Sequence, residues 1–257
     1  MHKYNERMYL QGMKQVAPIL LAMFLSSCSY LPEEGAIDDH LKLDRADYAV
    51  FYSGSSAPSN AFLMVPGGLV DPHVYECWID RLVSGDPGIA VVLLKYPSNL
   101  AITYAGKAMK VAEELNEFSH WVIGGHSLGG VVATSLVHDH QEFYDGLILM
   151  GSWSRAATDL SGWDHPVLSI YASEDQLATV REVEDNSAYL PPGLQVTTPE
   201  DLTGIAARTA YVEIAGGNHS GFGCYGPQKG DGKALISPSE QQDQMVAMIH
   251  AYLEEVW

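Results

Sequence analysis

Ser127 stands in Gly125-His126-Ser127-Leu128-Gly129, with Gly130 directly behind. A serine hydroxyl is a weak nucleophile until one element presents it and another takes its proton. The flanking residues supply the presentation. His120-Trp121-Val122-Ile123-Gly124 is short, apolar and partly β-branched, as a buried parallel strand should be. Val131-Val132-Ala133-Thr134-Ser135-Leu136-Val137 holds no Gly or Pro and can continue as a helix. A G-x-S-x-G between a strand and a helix is a nucleophile elbow. Its sharp turn strains the serine backbone and brings neighbouring backbones close, so positions 125 and 129 have no room for a Cβ. It also turns the N–H groups at the helix start toward the reacting carbonyl.

The serine needs a base, and the base needs an orienting acid, in the chain order Ser, Asp or Glu, His. Five histidines follow Ser127. His138 and His140 fall at the end of the elbow helix, and His250 falls in the closing helix, where solvated roles suffice. His165 precedes a strand, at the end away from the serine. His219 lies in the glycine-rich Ala215-Gly216-Gly217-Asn218-His219-Ser220-Gly221-Phe222, after the strand-like Thr209-Ala210-Tyr211-Val212-Glu213-Ile214. It is the expected base. The acid should follow Val167-Leu168-Ser169-Ile170-Tyr171, where Asp175 is the first choice and Glu174 the second.

An acyl transfer also needs donors for the developing oxyanion. One is expected from the backbone N–H of Leu128, next to the nucleophile. The other is expected from the loop Pro66-Gly67-Gly68-Leu69-Val70, after the strand Ala61-Phe62-Leu63-Met64-Val65. The sequence leaves Gly68 and Leu69 as alternatives there.

Taken in order, Val65-Pro66-Gly67-Gly68-Leu69-Val70, Gly124-Gly125-His126-Ser127-Leu128-Gly129-Gly130, Ser173-Glu174-Asp175 and Gly217-Asn218-His219 resemble the α/β-hydrolase superfamily. The stretch from Asn218 through Tyr225-Gly226-Pro227-Gln228 to Gly230-Asp231-Gly232 is similar to a branch of small, nearly capless bacterial members. The resemblance runs from about Tyr48 to the C-terminus. It implies an α/β fold with a mainly parallel central sheet and helices on both faces. It also implies a serine hydrolase with Ser127, His219 and Asp175 as its triad. Nothing in it specifies a substrate. Where the dienelactone hydrolases of the superfamily carry a cysteine nucleophile, this chain has Ser127, so their substrate does not transfer.

The N-terminus carries a different message. Lys14 precedes an apolar run from Val16 to Leu25, too short for the ~20 residues that span a bilayer. A charged start, a short apolar core and small residues read as a secretory signal. Leu25-Ser26-Ser27-Cys28 resembles a lipobox, which makes Cys28 the expected lipidated N-terminus of the mature protein. Ser29 behind it fits sorting to the outer membrane, facing the periplasm of a bacterial envelope. The expected organisation is a signal peptide over 1–27, a tether over 28–44 and one domain over 45–257. Because residues 1–12 are long for such a leader and include Glu6, translation is expected to begin at Met13.

Composition narrows the function further. The formal net charge of the 257 residues is −18. Removing a leader with Lys3, Arg7 and Lys14 against Glu6 leaves the rest more acidic still. Such a surface argues against nucleic acid and against a polybasic grip on anionic lipid. No zinc-like Cys/His spacing and no Walker-type loop occurs, so no metal or cofactor is expected. With Cys28 acylated, Cys77 and Cys224 remain as an even pair in a compartment that permits disulfides, and a bridge between them is a candidate.

Several further elements can be read from the sequence. Tyr48-Ala49-Val50-Phe51-Tyr52, Ile89-Ala90-Val91-Val92-Leu93-Leu94-Lys95 and Asp145-Gly146-Leu147-Ile148-Leu149-Met150 read as strands. Residues 104–118 and 238–257 read as helices, and 186–205 as an irregular excursion. Alternating strands and helices imply a parallel sheet covered on both faces. The short gap between Met150 and Val167 leaves room for only a small lid. Trp153, Phe222 and Tyr225 are candidates for the substrate pocket. The expected activity is hydrolysis of a carboxylic ester or thioester through an acyl-enzyme. An acyltransferase and a non-enzymatic ligand-binding envelope lipoprotein on the same fold are the alternatives.

Overall fold

The computed structural model describes residues 29–32, 40–86 and 88–257. The expected signal peptide, the start at Met13 and the lipidation site Cys28 lie outside the described residues. Nine strands form one sheet: β1 (Leu41–Asp44), β2 (Tyr48–Tyr52), β3 (Asn60–Val65), β4 (Ile89–Leu94), β5 (His120–His126), β6 (Gly146–Met150), β7 (Val167–Ala172), β8 (Gly193–Val196) and β9 (Thr209–Ile214). Their spatial order is β1-β2-β4-β3-β5-β6-β7-β9-β8. β2 pairs antiparallel with β1 and with β4, and every other pairing is parallel. Among the described residues, five α-helices cover the sheet: α1 (Glu76–Gly85), α2 (Lys107–Glu114), α3 (Leu128–Asp139), α4 (Val180–Asp185) and α5 (Pro238–Val256).

The apolar runs form central strands because both faces of the sheet are covered. All six residues of β4 are buried. Alternation then divides the core in two. Phe62 and Met64 join Trp78 and Leu82 of α1 and Met245, Ile249 and Tyr252 of α5 on one face. Ala61, Leu63 and Val65 join Val111 of α2 and Val132 and Leu136 of α3 on the other. The chain leaves β3 for β4 on one side and then enters β5 on the other. The loops after β3 and β5 therefore diverge at a switch point, where α/β sheets open a crevice at the carboxyl ends of their strands.

Three sequence expectations are corrected. The segment assigned to a tether is partly built into the domain. Leu41 and Leu43 turn inward while Lys42 and Asp44 stay exposed, giving β1 the period-2 alternation of an edge strand. Residues 186–205 are not wholly irregular, since β8 lies within them and pairs with β9. The helix expected over 104–118 is only α2, preceded by a separate 3₁₀ turn, Ala101–Tyr104, with Gly106 between them. Ser237 caps α5: its hydroxyl accepts from Glu240 N–H, and the Glu240 carboxylate accepts from Ser237 N–H.

Candidate active site

Ser127 ends the turn between β5 and α3 with φ 54° and ψ −123°. Its N–H donates to Met150 O at 2.9 Å, which ties the turn to the end of β6. The glycines permit this packing. A Cβ at Gly125 would lie 2.3 Å from the carbonyl carbon of Gly129, and one at Gly129 would lie 2.2 Å from Val65 O. Both clashes are with backbone, so no side-chain adjustment relieves them. Ser127 is left part-exposed between the buried His126 and Leu128.

His219 and Asp175 meet beneath the serine's edge of the sheet. His219 Nδ1–H donates to Asp175 Oδ2 at 2.7 Å, and both side chains are buried. The other carboxylate oxygen, Oδ1, accepts from the N–H groups of Leu177 at 2.8 Å and Ala178 at 2.7 Å. The carboxylate is thus fully engaged, and it fixes the proton of His219 on Nδ1. Nε2 is left with its lone pair. It is buried and has no hydrogen-bond partner among the described residues. No hydrogen bond joins it to Ser127 Oγ; such contacts tighten when substrate binds. Glu174 turns elsewhere, accepting from the Ser173 hydroxyl at 3.1 Å.

The loop carrying His219 is held from three directions. The Asp231 carboxylate accepts from the N–H groups of His219 at 3.2 Å and Ser220 at 2.8 Å. Gln241 accepts from Asn218 N–H at 3.0 Å and donates to Asn218 O at 2.8 Å. Gln242 donates to the carbonyls of Gly221 and Gly223 at 3.3 and 3.2 Å. The two glutamines are buried in the first turns of α5. Beyond the loop, Cys224 bonds Cys77 of α1 with an S–S distance of 2.03 Å across 147 residues of chain.

Hydrogen bonding narrows the candidate oxyanion donors on the loop after β3. Gly67 N–H donates to the Tyr75 hydroxyl at 2.9 Å. Leu69 N–H donates to Asn99 O at 2.7 Å. Leu69 is therefore corrected as a candidate, because its only N–H is already used. Gly68 N–H has no partner among the described residues, and neither has Leu128 N–H. The Gly68 backbone packs against the Leu128 side chain: a Cβ at Gly68 would lie 2.9 Å from Leu128 Cδ2.

His126 was not singled out from the sequence. It is fully buried, and its ring centroid lies 4.5 Å from that of His219. The Tyr75 hydroxyl accepts from Gly67 N–H and shares a hydrogen bond of 2.9 Å with His126 Nδ1. Burial holds His126 well below the ordinary histidine range, and the neighbouring His219 pushes the same way. One hydroxyl thus links the oxyanion loop to the strand that carries the elbow.

The pocket expectations fare unevenly. Trp153 keeps part of its surface exposed. Phe222 is fully buried, packs against the His126 ring at 5.5 Å, and its carbonyl accepts from the Trp78 indole N–H at 3.2 Å. Tyr225 is buried under Tyr30, with ring centroids 5.3 Å apart. Neither presents a surface to a substrate; both belong to the packing behind the base loop. The signals that could have revealed the supporting residues are weak but physical. Gln241 shares a helix stripe with Met245, Met248 and Tyr252, and a glutamine on an apolar stripe asks for backbone partners.

Comparison with known proteins agrees with this architecture. The family model described as "Alpha/beta hydrolase family" matches residues 61–243. Among solved structures, the chain is similar to Est1E from Butyrivibrio proteoclasticus, with 11% identity and a TM-score of 0.55. The alignment covers 84% of this chain and 97% of that one. It is similar also to a thermophilic esterase from Thermogutta terrifontis (malate bound), with 12% identity, a TM-score of 0.54 and the same two coverages. At such identities the likeness speaks for the fold alone. No curated protein matches the chain. The family model spans well over half of the 257 residues, across β3, the Ser127 elbow, Asp175 and His219, and the chain belongs to the alpha/beta hydrolase family.

Proposed function

We propose that the protein is a serine hydrolase of the bacterial cell envelope, anchored by lipid at Cys28, that cleaves a carboxylic ester or thioester. The observation that carries the reaction is the Asp175–His219 contact of 2.7 Å, which engages Nδ1 and leaves Nε2, without a partner among the described residues, as the nitrogen able to take a proton. In this reading Ser127 Oγ attacks the acyl carbon while His219 Nε2 takes its proton. Asp175 holds the imidazole and stabilises the imidazolium that forms. The N–H groups of Gly68 and Leu128 receive the oxyanion; losing one such donor typically costs about 2.7–4 kcal/mol of transition-state stabilisation. His219 then protonates the departing alcohol or thiol. Water attacks the acyl-Ser127 ester by the same base and releases the acid.

The similar protein from Thermogutta terrifontis is an esterase, which favours esters as the first substrates to try. The direct test is labelling with a fluorophosphonate probe. Wild-type protein should be labelled and Ser127→Ala should not. A folded wild-type protein that resists the probe would favour a ligand-binding role. Added alcohol acceptors distinguish a hydrolase, which releases free acid, from an acyltransferase, which makes new ester. The anchor is tested by mass spectrometry of the mature N-terminus, which should begin at an acylated Cys28.

A further inference from the structure

Among the described residues, three large hydrophobic side chains are exposed: Leu31 at 63%, Tyr104 at 42% and Leu235 at 72%. Exposed singly, each would need no explanation. Their placement does. Leu31 follows Tyr30, whose N–H donates to Leu69 O at 2.9 Å on the loop after β3. Tyr104 ends the 3₁₀ turn that follows the carboxyl end of β4. Leu235 N–H donates to Gly216 O at 2.7 Å on the loop after β9, three residues before His219. All three therefore lie on the edge of the sheet that carries Ser127 and His219. Among the described residues, the opposite edge exposes no such side chain.

The N-terminal chain reaches the same edge. Tyr30 forms a parallel bridge to Val70 and accepts from Asp71 N–H at 2.9 Å. Asn99 Nδ2 donates to Ser29 Oγ at 3.4 Å. Ser29 directly follows Cys28, and consecutive Cα atoms are about 3.8 Å apart. Ser29 and Tyr30, which directly follow Cys28 in the sequence, are thus held at the rim of the candidate active site.

We infer that this rim docks on a phospholipid bilayer, with Leu31, Tyr104 and Leu235 entering the interface around an acylated Cys28. The inference rests on the anchored serine-hydrolase reading above. Tyrosine suits the headgroup level, and the leucines suit the acyl boundary. The formal net charge of −18 points to a zwitterionic leaflet. With the mouth against the leaflet, the substrate is an ester borne by the membrane, which reaches Ser127 without crossing bulk water.

The test uses the full chain, produced with its own leader, purified from membranes and reconstituted into phosphatidylcholine vesicles with brominated acyl chains. Single reporters Leu31→Trp and Leu235→Trp are compared with His120→Trp, at the start of β5 on the opposite edge, where the native side chain is 55% exposed. Bromolipid should quench most of the fluorescence added at the first two positions and none of that added at the third. Equal quenching at all three, quenching at His120→Trp alone, or none at all overturns the docking. The double variant Leu31→Ser/Leu235→Ser should lose about tenfold in rate on a long-chain ester dissolved in the vesicles, and nothing on water-soluble p-nitrophenyl acetate. A parallel loss on both esters, or no loss on either, overturns it as well. If the wild type takes no fluorophosphonate label and cleaves neither ester, the hydrolase reading fails, and the quenching pattern still decides the docking.

Discussion

Replacing Asp175 by Asn removes one charge and almost no volume, yet the hydrogen bonds around the side chain dictate a large effect. Oδ1 receives two backbone N–H groups, from Leu177 and Ala178. Only an acceptor can stand there, so the amide oxygen of the variant must occupy that position. Its NH₂ is then forced onto His219 Nδ1, where Oδ2 now accepts at 2.7 Å. Facing a donor, Nδ1 must become an acceptor, and the imidazole proton moves to Nε2. The nitrogen that should take the Ser127 proton is already protonated. The imidazolium also loses its stabilising carboxylate. The combined loss in kcat should be about ten-thousandfold, or about 5 kcal/mol in the barrier. Stability should change much less, by about 1–2 kcal/mol, because the two backbone donors keep their acceptor. Steady-state hydrolysis of p-nitrophenyl acetate, with urea unfolding of the same preparations, measures both quantities. Glu174→Gln is the control and should leave kcat within about threefold, since among the described residues its carboxylate accepts only from Ser173. A loss below about tenfold for Asp175→Asn, or a larger loss for Glu174→Gln, would refute the tautomer argument.

The supports of the site give further expectations. Gln241→Leu strips both backbone groups of Asn218 of their partners, which should lower stability by about 2–4 kcal/mol and kcat more than KM, read by urea unfolding and steady-state kinetics. His126 is held neutral below its usual value of 6.5. The unfolded chain therefore binds a proton that the folded one refuses, and this contribution to stability is present above pH 6.5 and lost as pH falls. Its slope should be about 1.4 kcal/mol per pH unit, and it should vanish in His126→Asn, whose amide can still hydrogen-bond the Tyr75 hydroxyl. Reducing the Cys77–Cys224 bond frees a loop of 147 residues and should cost about 5 kcal/mol by chain entropy, seen as a lower urea midpoint with dithiothreitol or in Cys77→Ser/Cys224→Ser.

What the sequence revealed and what it hid divide along contact range. The elbow, the strand runs and the loops of Asp175 and His219 are local patterns. Their periodicity and glycines can be read within a window of ten or so residues. The choice between Gly68 and Leu69 could not be made that way. It depends on Asn99, thirty positions onward, whose carbonyl takes the Leu69 N–H. Tyr75 is equally silent in the sequence: nothing local says that its hydroxyl will stand between Gly67 and His126. The pocket candidates failed for the same reason. Phe222 and Tyr225 lie in the right loop, but burial is decided by Trp78 and Tyr30, which come from other parts of the chain. β1 was missed because its alternation has only four residues, with two charges among them.

Backbone strain explains why the hidden half of the site is nevertheless well defined. Among the described residues, five non-glycine positions have positive φ: Leu69, Ser98, Asn99, Ser127 and Ala206. Three of them belong to the candidate site, Ser127 as the elbow serine and Leu69 and Asn99 through the bond between them, and each such residue costs of order 1–3 kcal/mol and persists only where its surroundings enforce it. The enforcing contacts can be named. Ser127 N–H is fixed to Met150 O, at the carboxyl end of β6. Leu69 is gripped on both sides, donating to Asn99 O and accepting from Tyr30 N–H. Asn99 N–H is in turn held by Tyr96 O. The conformation that leaves Gly68 N–H free is therefore not the relaxed state of an isolated loop. It exists because the turn after β4, through Asn99, and the N-terminal segment, through Tyr30, both hold Leu69. This predicts an asymmetry that local propensity does not. Deleting residues 29–32, far from Ser127 in the sequence, should lower kcat on a water-soluble ester while KM stays nearly constant, because it lets Leu69 relax and turns the oxyanion donor away. A deletion that changes KM alone would show that the segment touches substrate and leaves the loop unchanged.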